Sequence, residues 1–256
     1  MMTEFTIVRQ RDYSPMETRV ATKYALLNDS KVITSSLREL VQYEDGFKSG
    51  KYLPIGTVEF VREAMRLSGI NEPANISYPS VLRGYLKRNV EIRDAGSIFR
   101  GFVKPINTKT FTGFVFDCLE PLESLDEFTT EQADEFMKLD SKEKVWASEI
   151  VEWNAEVRYY VREGKILGYG RYDDGPDEWA EPPLEFVQEI VDAYESKSLN
   201  TPIAYSVDVG VLASGEPALV ECNDAWALGY YKGTLSENDY VEMLWVRWNQ
   251  LFSQRV

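Results

Sequence analysis

Hydrophobic and polar positions along the chain alternate between two periods, the 3.6-residue repeat of amphipathic helices and the two-residue repeat of half-buried strands. TVEFVREAMRLSG (57–69) predicts a helix, with Val58, Val61 and Met65 at helical spacing, Thr57 as N-cap and Gly69 as stop. PSVLRGYLKRN (79–89) predicts a second helix with Pro79 in its first turn. IFRGFVKP (98–105) and FTGFVFDCLE (111–120) form a hairpin pattern across polar INTKT. TTEQADEFMKL (129–139) predicts a capped helix and VWASEIVEW (145–153) a strand. LEFVQEIVDAYESK (184–197) and NDYVEMLWVRWNQLF (238–252) are the last helices, the second amphipathic and closing the fold. Mixed elements without an internal repeat place the chain in the α/β or α+β class.

Two further segments predict hairpins whose registers bear on chemistry. In EVRYYVREGKILGYGRYD (156–173), Glu163-Gly164 is a two-residue turn. Counting outward pairs Arg162 with Lys165, Tyr160 with Leu167, Arg158 with Tyr169 and Glu156 with Arg171, so both arginines share a face with Glu156. In SVDVGVLASGEPALVECN (206–223), a turn at Ser214-Gly215 pairs Val211 with Ala218, Val209 with Val220 and Asp208 with Glu221. Alternation then sends Val207, Val209, Val211, Val220 and Cys222 to one face and Asp208, Glu221 and Asn223 to the other. Carboxylates opposed at about 5 Å repel by roughly 3 kcal/mol at an effective dielectric near 20, which requires a positive partner. Two carboxylates and an amide oxygen suit Mg²⁺, a hard cation that shares its remaining positions with water and phosphates. A solvated hairpin end with chance acids is the plainer alternative for this segment, in a chain with 42 acidic residues.

Composition narrows the chemistry. The 256 residues, 44% hydrophobic and 13% aromatic, suffice for one or two domains with a sizeable core. There is no histidine, which removes Ser/His and Cys/His nucleophilic catalysis and almost every zinc site. A net charge of −14 argues against a phosphate-tracking nucleic-acid surface. No apolar run is long enough for a membrane span and the start lacks a signal-peptide pattern, so a cytoplasmic protein is expected. The two cysteines, Cys118 and Cys222, are expected to be buried free thiols.

SVDVGV followed by LVECND, preceded by FVKP and SEIVEWNAEVRYYV, resembles the ATP-grasp superfamily. More narrowly, the chain is similar to the small clade marked by two arginines and a lysine, frequent in bacteriophage and bacterial genomes. The resemblance covers roughly residues 76 to 235 and rests most on the D…E-x-N pattern. It implies an α+β fold: an N-terminal α/β region (1–75) and two subdomains clamping ATP (76–146 and 147–256). Asp208, Glu221 and Asn223 match the Mg²⁺-binding residues, Lys104 the strand lysine on the ATP phosphates, and Lys109 a phosphate-loop lysine. Glu149, Ile150 and Val151 match the hinge whose backbone reads adenine, Glu156 the ribose-binding acid, and Arg158 and Arg171 the marker arginines. A salt bridge to Glu156 is the structural alternative for those arginines. Trp226 and Tyr230 are candidates for a substrate pocket or for core packing, and Cys222 faces the core with no chemistry.

The activity implied is ATP- and Mg²⁺-dependent ligation of a carboxylate to an amine or thiol through an acylphosphate. The substrate would be an amino acid, a peptide or a protein terminus, with no nucleic-acid or membrane partner. The alternatives are a nucleotide-binding or acidic decoy protein without turnover, and a phosphotransferase.

Overall fold

The structure, a computed structural model, describes residues 5–255 apart from 12, 14, 108–109, 122–123, 174 and 176–178. Three sheets follow one another along the chain. The first is parallel, ordered β2-β1-β3, from β1 (Thr6–Gln10), β2 (Lys31–Ser35) and β3 (Tyr52–Ile55). Its helices are α1 (Pro15–Leu27), α2 (Glu44–Lys48) and α3 (Val58–Ser68). As predicted, the Thr57 side chain caps α3 and Gly69 ends it in the left-handed region at φ 71°.

The second sheet is antiparallel, ordered β4-β7-β5-β6, from β4 (Val90–Asp94), β5 (Arg100–Pro105), β6 (Phe114–Asp117) and β7 (Lys144–Ser148). Its core gathers Val103, Phe114 and Val145 with Phe136 of α4 (Glu127–Met137). The third sheet, ordered β11-β10-β8-β9, is also antiparallel: β8 (Trp153–Arg162), β9 (Lys165–Arg171), β10 (Ala204–Leu212) and β11 (Pro217–Asp224). Alternation divides this sheet cleanly. Val157, Tyr159, Val161, Val207 and Val209 pack on one side with Val187, Ile190 and Val191 of α5 (Leu184–Lys197). On the other side lie Glu156, Arg158, Tyr160 and Asp208. Tyr160 there joins a core built by the first sheet and α6 (Glu237–Ser253), where Trp245 stacks on Phe5 at 4.2 Å.

Several expectations change. Residues Ser80–Tyr85 make a 3₁₀ helix rather than an α-helix, with Pro79 as N-cap, because Gly84 and a six-residue span favour only short tight turns. α4 starts before Thr129: Asp126 accepts the Thr129 N–H at 3.0 Å and so caps the helix. The strand expected over 145–153 stops at Ser148, because the chain there leaves the second sheet and enters the third at Trp153. Cys222 is buried as expected, whereas Cys118 is exposed. No helix among the described residues is long and apolar enough to cross a membrane.

Candidate active site

A cavity of about 720 Å³ lies between the second and third sheets, bounded by β5, β8, β11 and the connection 148–153. Of the residues singled out by sequence, Lys104, Glu149, Ile150, Val151, Glu156, Arg158, Glu221 and Asn223 line it. Lys109 lies outside the described residues.

At its centre is the β10–β11 pair, where Asp208 stands opposite Glu221 as predicted. The route to that pairing differs from simple counting. Leu212 N–H bonds the Glu216 carbonyl, so three residues rather than two make the turn, and Val209 faces Leu219, not Val220. A β-bulge at Val220 then restores the register. Leu219 therefore takes the core place expected for Val220, which lines the cavity instead.

Both carboxylates have the positive partners that their opposition demanded. Arg158 clasps the buried Asp208 with a fork, Nε to Oδ1 at 2.9 Å and Nη2 to Oδ2 at 2.7 Å. Lys104 ion-pairs with Glu221 and donates to Ser77 Oγ at 3.0 Å. Asn223 Nδ2 donates to Asp208 Oδ2 at 3.0 Å and to Glu221 Oε1 at 3.1 Å, which ties the three groups together. Burial pushes the Glu221 carboxyl up, but Lys104 outweighs it and the net direction is down. The guanidinium of Arg158 also lies 5.6 Å from the Tyr172 ring and 5.1 Å from the Tyr231 ring. Gly170, opposite Arg158, permits this: a Cβ there would sit 2.5 Å from the Tyr231 carbonyl oxygen.

Arg171 is placed elsewhere. The Glu163-Gly164 turn forms as predicted, with φ of 51° and 70°, but a bulge between Tyr160 and Val161 on the pairing with β9 shifts every later pair by one residue. Arg158 consequently faces Gly170, and Arg171 faces Val157 on the α5 side of the sheet. The expectation that both arginines share a face with Glu156 is therefore corrected. Arg171 pairs with Asp173, Nε to Oδ2 at 2.7 Å, and lies over Trp179 at 4.9 Å. Neither arginine forms a salt bridge with Glu156 among the described residues.

At the other end, Glu149, Ile150 and Val151 form the strand-free link between the two sheets, with Glu149 Oε2 accepting the Asn89 N–H at 2.9 Å. Burial first, and then Asp208 and Glu221, push the Glu156 carboxyl up to about 7. Trp226 lines the cavity, whereas Tyr230 packs on Tyr240. Sequence reasoning missed Arg88, Tyr172 and Ser77. Tyr172 would have followed from the true β8–β9 register; Arg88 carries no motif at all.

The residues present fit Mg²⁺. Among the described residues no three acids, histidines or cysteines stand together, so the donor set is two carboxylates and one amide oxygen. That set leaves coordination positions for water and phosphate, which is how Mg²⁺ is commonly held.

Comparison with known proteins agrees with this geometry. Residues 46–251 match the family model for an ATP-grasp domain, family 3 of the clade named for two arginines and a lysine. No curated protein matches the chain significantly in sequence. Among solved structures, the chain is similar to D-alanine–D-alanine ligase from Bacillus anthracis, with a TM-score of 0.53, 13% identity, and coverage of 99% of this chain and 100% of that one. It is also similar to the ATP-grasp ligase PsnB complexed with minimal precursor, with a TM-score of 0.51, 14% identity and coverage of 95% and 100%. D-cycloserine synthetase DcsG gives a TM-score of 0.50 at 12% identity, with 98% and 99% covered. At such identities the likeness speaks for the fold, and the family model for membership: the chain belongs to the ATP-grasp domain family, in family 3 of the two-arginine, one-lysine clade, and is an enzyme of the ATP-grasp ligase class.

Proposed function

We propose that the protein joins a carboxylate to an amine or thiol at the expense of ATP, through an acylphosphate. The observation that carries this is the Lys104–Glu221–Asn223–Asp208–Arg158 chain, five polar groups of alternating charge in one cavity wall. A decoy has no use for such a chain, and phosphate groups would exchange readily with its internal partners.

In this reading the link 149–151 takes the adenine edge and Glu156 the ribose hydroxyls. Lys104 turns from Glu221 to the phosphates, as a point charge on a flexible stem. Asp208, Glu221 and Asn223 hold Mg²⁺, which when bound offsets phosphate charge and polarises the transferring group. A substrate carboxylate oxygen attacks the γ-phosphorus, the bond to the β,γ-bridging oxygen breaks, and ADP leaves. The amine then attacks the acyl carbon, phosphate departs, and the amine proton is lost to solvent. Arg158 is aimed to hold the transferring phosphoryl oxygens through its planar fork, while Tyr172 and Tyr231 keep water from its faces. Positioning and charge neutralisation do this chemistry, so a chain without histidine suffices.

Two of the structural relatives are described by a dipeptide-forming activity and by a precursor peptide, which supports an amino acid or peptide as substrate. The test is ADP release from ATP with panels of amino acids and peptides, followed by mass analysis of the product. An amide or thioester product establishes the ligase, a phosphorylated product would make it a phosphotransferase, and nucleotide binding without ADP from any acceptor would make it a binder.

A further inference from the structure

The bulge that sets Glu221 opposite Asp208 is held from outside its own hairpin. A β-bulge takes backbone groups out of the ladder, and in a buried setting those groups need other partners. Leu219 and Val220 are the residues at this bulge, and the carbonyls of both accept from one side chain. Arg88, two residues before β4, donates Nη1 to Leu219 O at 2.7 Å and Nη2 to Val220 O at 2.9 Å. The remaining contacts of the same guanidinium are Nη1 to Leu86 O at 3.0 Å and Nε to Ser148 Oγ at 3.2 Å. Trp153 covers one face at 5.2 Å.

These partners come from three places. Leu219 and Val220 are on β11 of the third sheet, Ser148 ends β7 of the second, and Leu86 closes the 3₁₀ segment. A single planar group thus fixes the bulge and ties it to the opposite wall of the cavity. We propose that Arg88 is a positioning residue for Glu221: it locks the Leu219–Val220 bulge in place, and through it turns Glu221 toward Asp208 and Lys104. Without that lock the bulge is free to migrate, and a slip of one residue sends a strand side chain to the opposite face. Glu221 would then point toward α5 and Val220 would replace it. Lysine cannot substitute, because a single ammonium does not span two carbonyls and a hydroxyl in one plane.

The metal part of the inference rests on the proposed role of Glu221, so the experiment has one arm that does not. R88K and R88Q are compared with wild type by peptide-level hydrogen exchange of the metal-free protein over 217–224, with the β8 peptide 157–162 as internal reference. The expected result is at least tenfold faster exchange over 217–224 with the reference unchanged. In the second arm, the midpoint for Mg²⁺ in binding a non-hydrolysable ATP analogue should rise at least tenfold in both variants, while analogue binding without Mg²⁺ stays within about threefold. Unchanged exchange over 217–224 overturns the proposal, as does exchange raised equally in the reference. Equal loss of analogue binding with and without Mg²⁺ would make Arg88 a direct nucleotide contact and also overturn it. Failure of both variants to fold would show that Arg88 serves the whole core rather than one bulge. Should wild type itself bind the analogue without any dependence on Mg²⁺, the proposed function fails while the exchange arm still decides the role of Arg88.

Discussion

The two hairpins of the third sheet each carry one bulge, and the bulges act in opposite senses on the cavity. In β10–β11 the bulge at Val220 lies on the turn side of Asp208 and Glu221, and it brings both acids and Asn223 to the cavity face. In β8–β9 the bulge lies between the turn and the marker positions, and it leaves Arg158 facing the cavity but turns Arg171 away. Charge pairing follows the same division. Arg158 is paired across strands to an acid fifty residues away, inside the protein, whereas Arg171 is paired to Asp173 two residues along its own strand end. One pair is part of the site; the other fixes a loop.

The largest expected effect breaks this comparison directly. R158M leaves Asp208, which is 1% exposed, without its cation, and a buried charge stripped of its partner costs about 3–5 kcal/mol. Turnover should fall by roughly a thousandfold or more, because the fork on the transferring group is gone. R171M removes a partly exposed pair, so about 1 kcal/mol and less than tenfold in turnover are expected. Urea denaturation and ADP release, run side by side, decide it. Equal losses in the two variants would show that the bulge does not separate the roles of the two arginines.

A second variant tests the cavity side of β10–β11. From opposed carboxylates alone, E221Q should relieve repulsion and leave the metal-free protein as stable or more so. The structure reverses that sign, since Lys104 and Arg158 already neutralise the pair and Lys104 holds the Glu221 carboxyl below its ordinary range against burial. Such a group stabilises the fold above its unfolded titration range, and that contribution is lost as pH falls. E221Q should therefore lower metal-free stability by about 1 kcal/mol at neutral pH and reduce turnover by roughly a hundredfold or more. A higher melting temperature at neutral pH with activity retained would remove Glu221 from the site.

K104A sharpens the contrast between the second sheet and the third. Lys104 reaches across from β5, so its loss should weaken binding of a non-hydrolysable ATP analogue by about 10- to 100-fold, equivalent to about 1.4–2.8 kcal/mol. Calorimetry gives the affinities. An affinity equal to wild type would leave Lys104 as a structural partner of Glu221 and Ser77 alone.

How legible this was in the sequence depends on what each residue needed. Lys104 required only a strand and a motif, and FVKP supplied both. Asp208 opposite Glu221 was reached by counting from a two-residue turn, although the turn has three residues; the bulge at Val220 cancels the difference. In β8–β9 the turn was right and the bulge was uncompensated, so the same procedure failed for Arg171. Nothing local announces a bulge, because its cause lies elsewhere: Arg88 on the far side of the cavity for one, and the packing of the third sheet against two different cores for the other. Likewise the pattern of α6 shows a buried face, but not that Phe5 and Phe47 of the first 50 residues would fill it.

The smallest effect concerns Glu156, which separates the nucleotide end of the cavity from the metal end. Asp208 and Glu221 each have a cation, whereas Glu156 has none among the described residues, and burial with its acidic neighbours raises its carboxyl to about 7. The sign follows from proton counting. Between about 4.5 and 7 the folded state keeps a proton that the unfolded chain has released, so Glu156 makes stability fall as pH rises through that window. The full penalty above pH 7 has a ceiling of about 3 kcal/mol, and water entering the open cavity reduces it, so about 1 kcal/mol is expected. E156Q removes the penalty. The variant should melt several degrees above wild type at pH 8, and the advantage should vanish near pH 4.5, where wild type is protonated in both states. Melting curves across that range, with wild type and E156Q in the same buffers, give the comparison. An advantage independent of pH would mean that glutamine merely packs better, and no advantage at pH 8 would mean that Glu156 has a cation after all and belongs with the neutralised acids of the metal end.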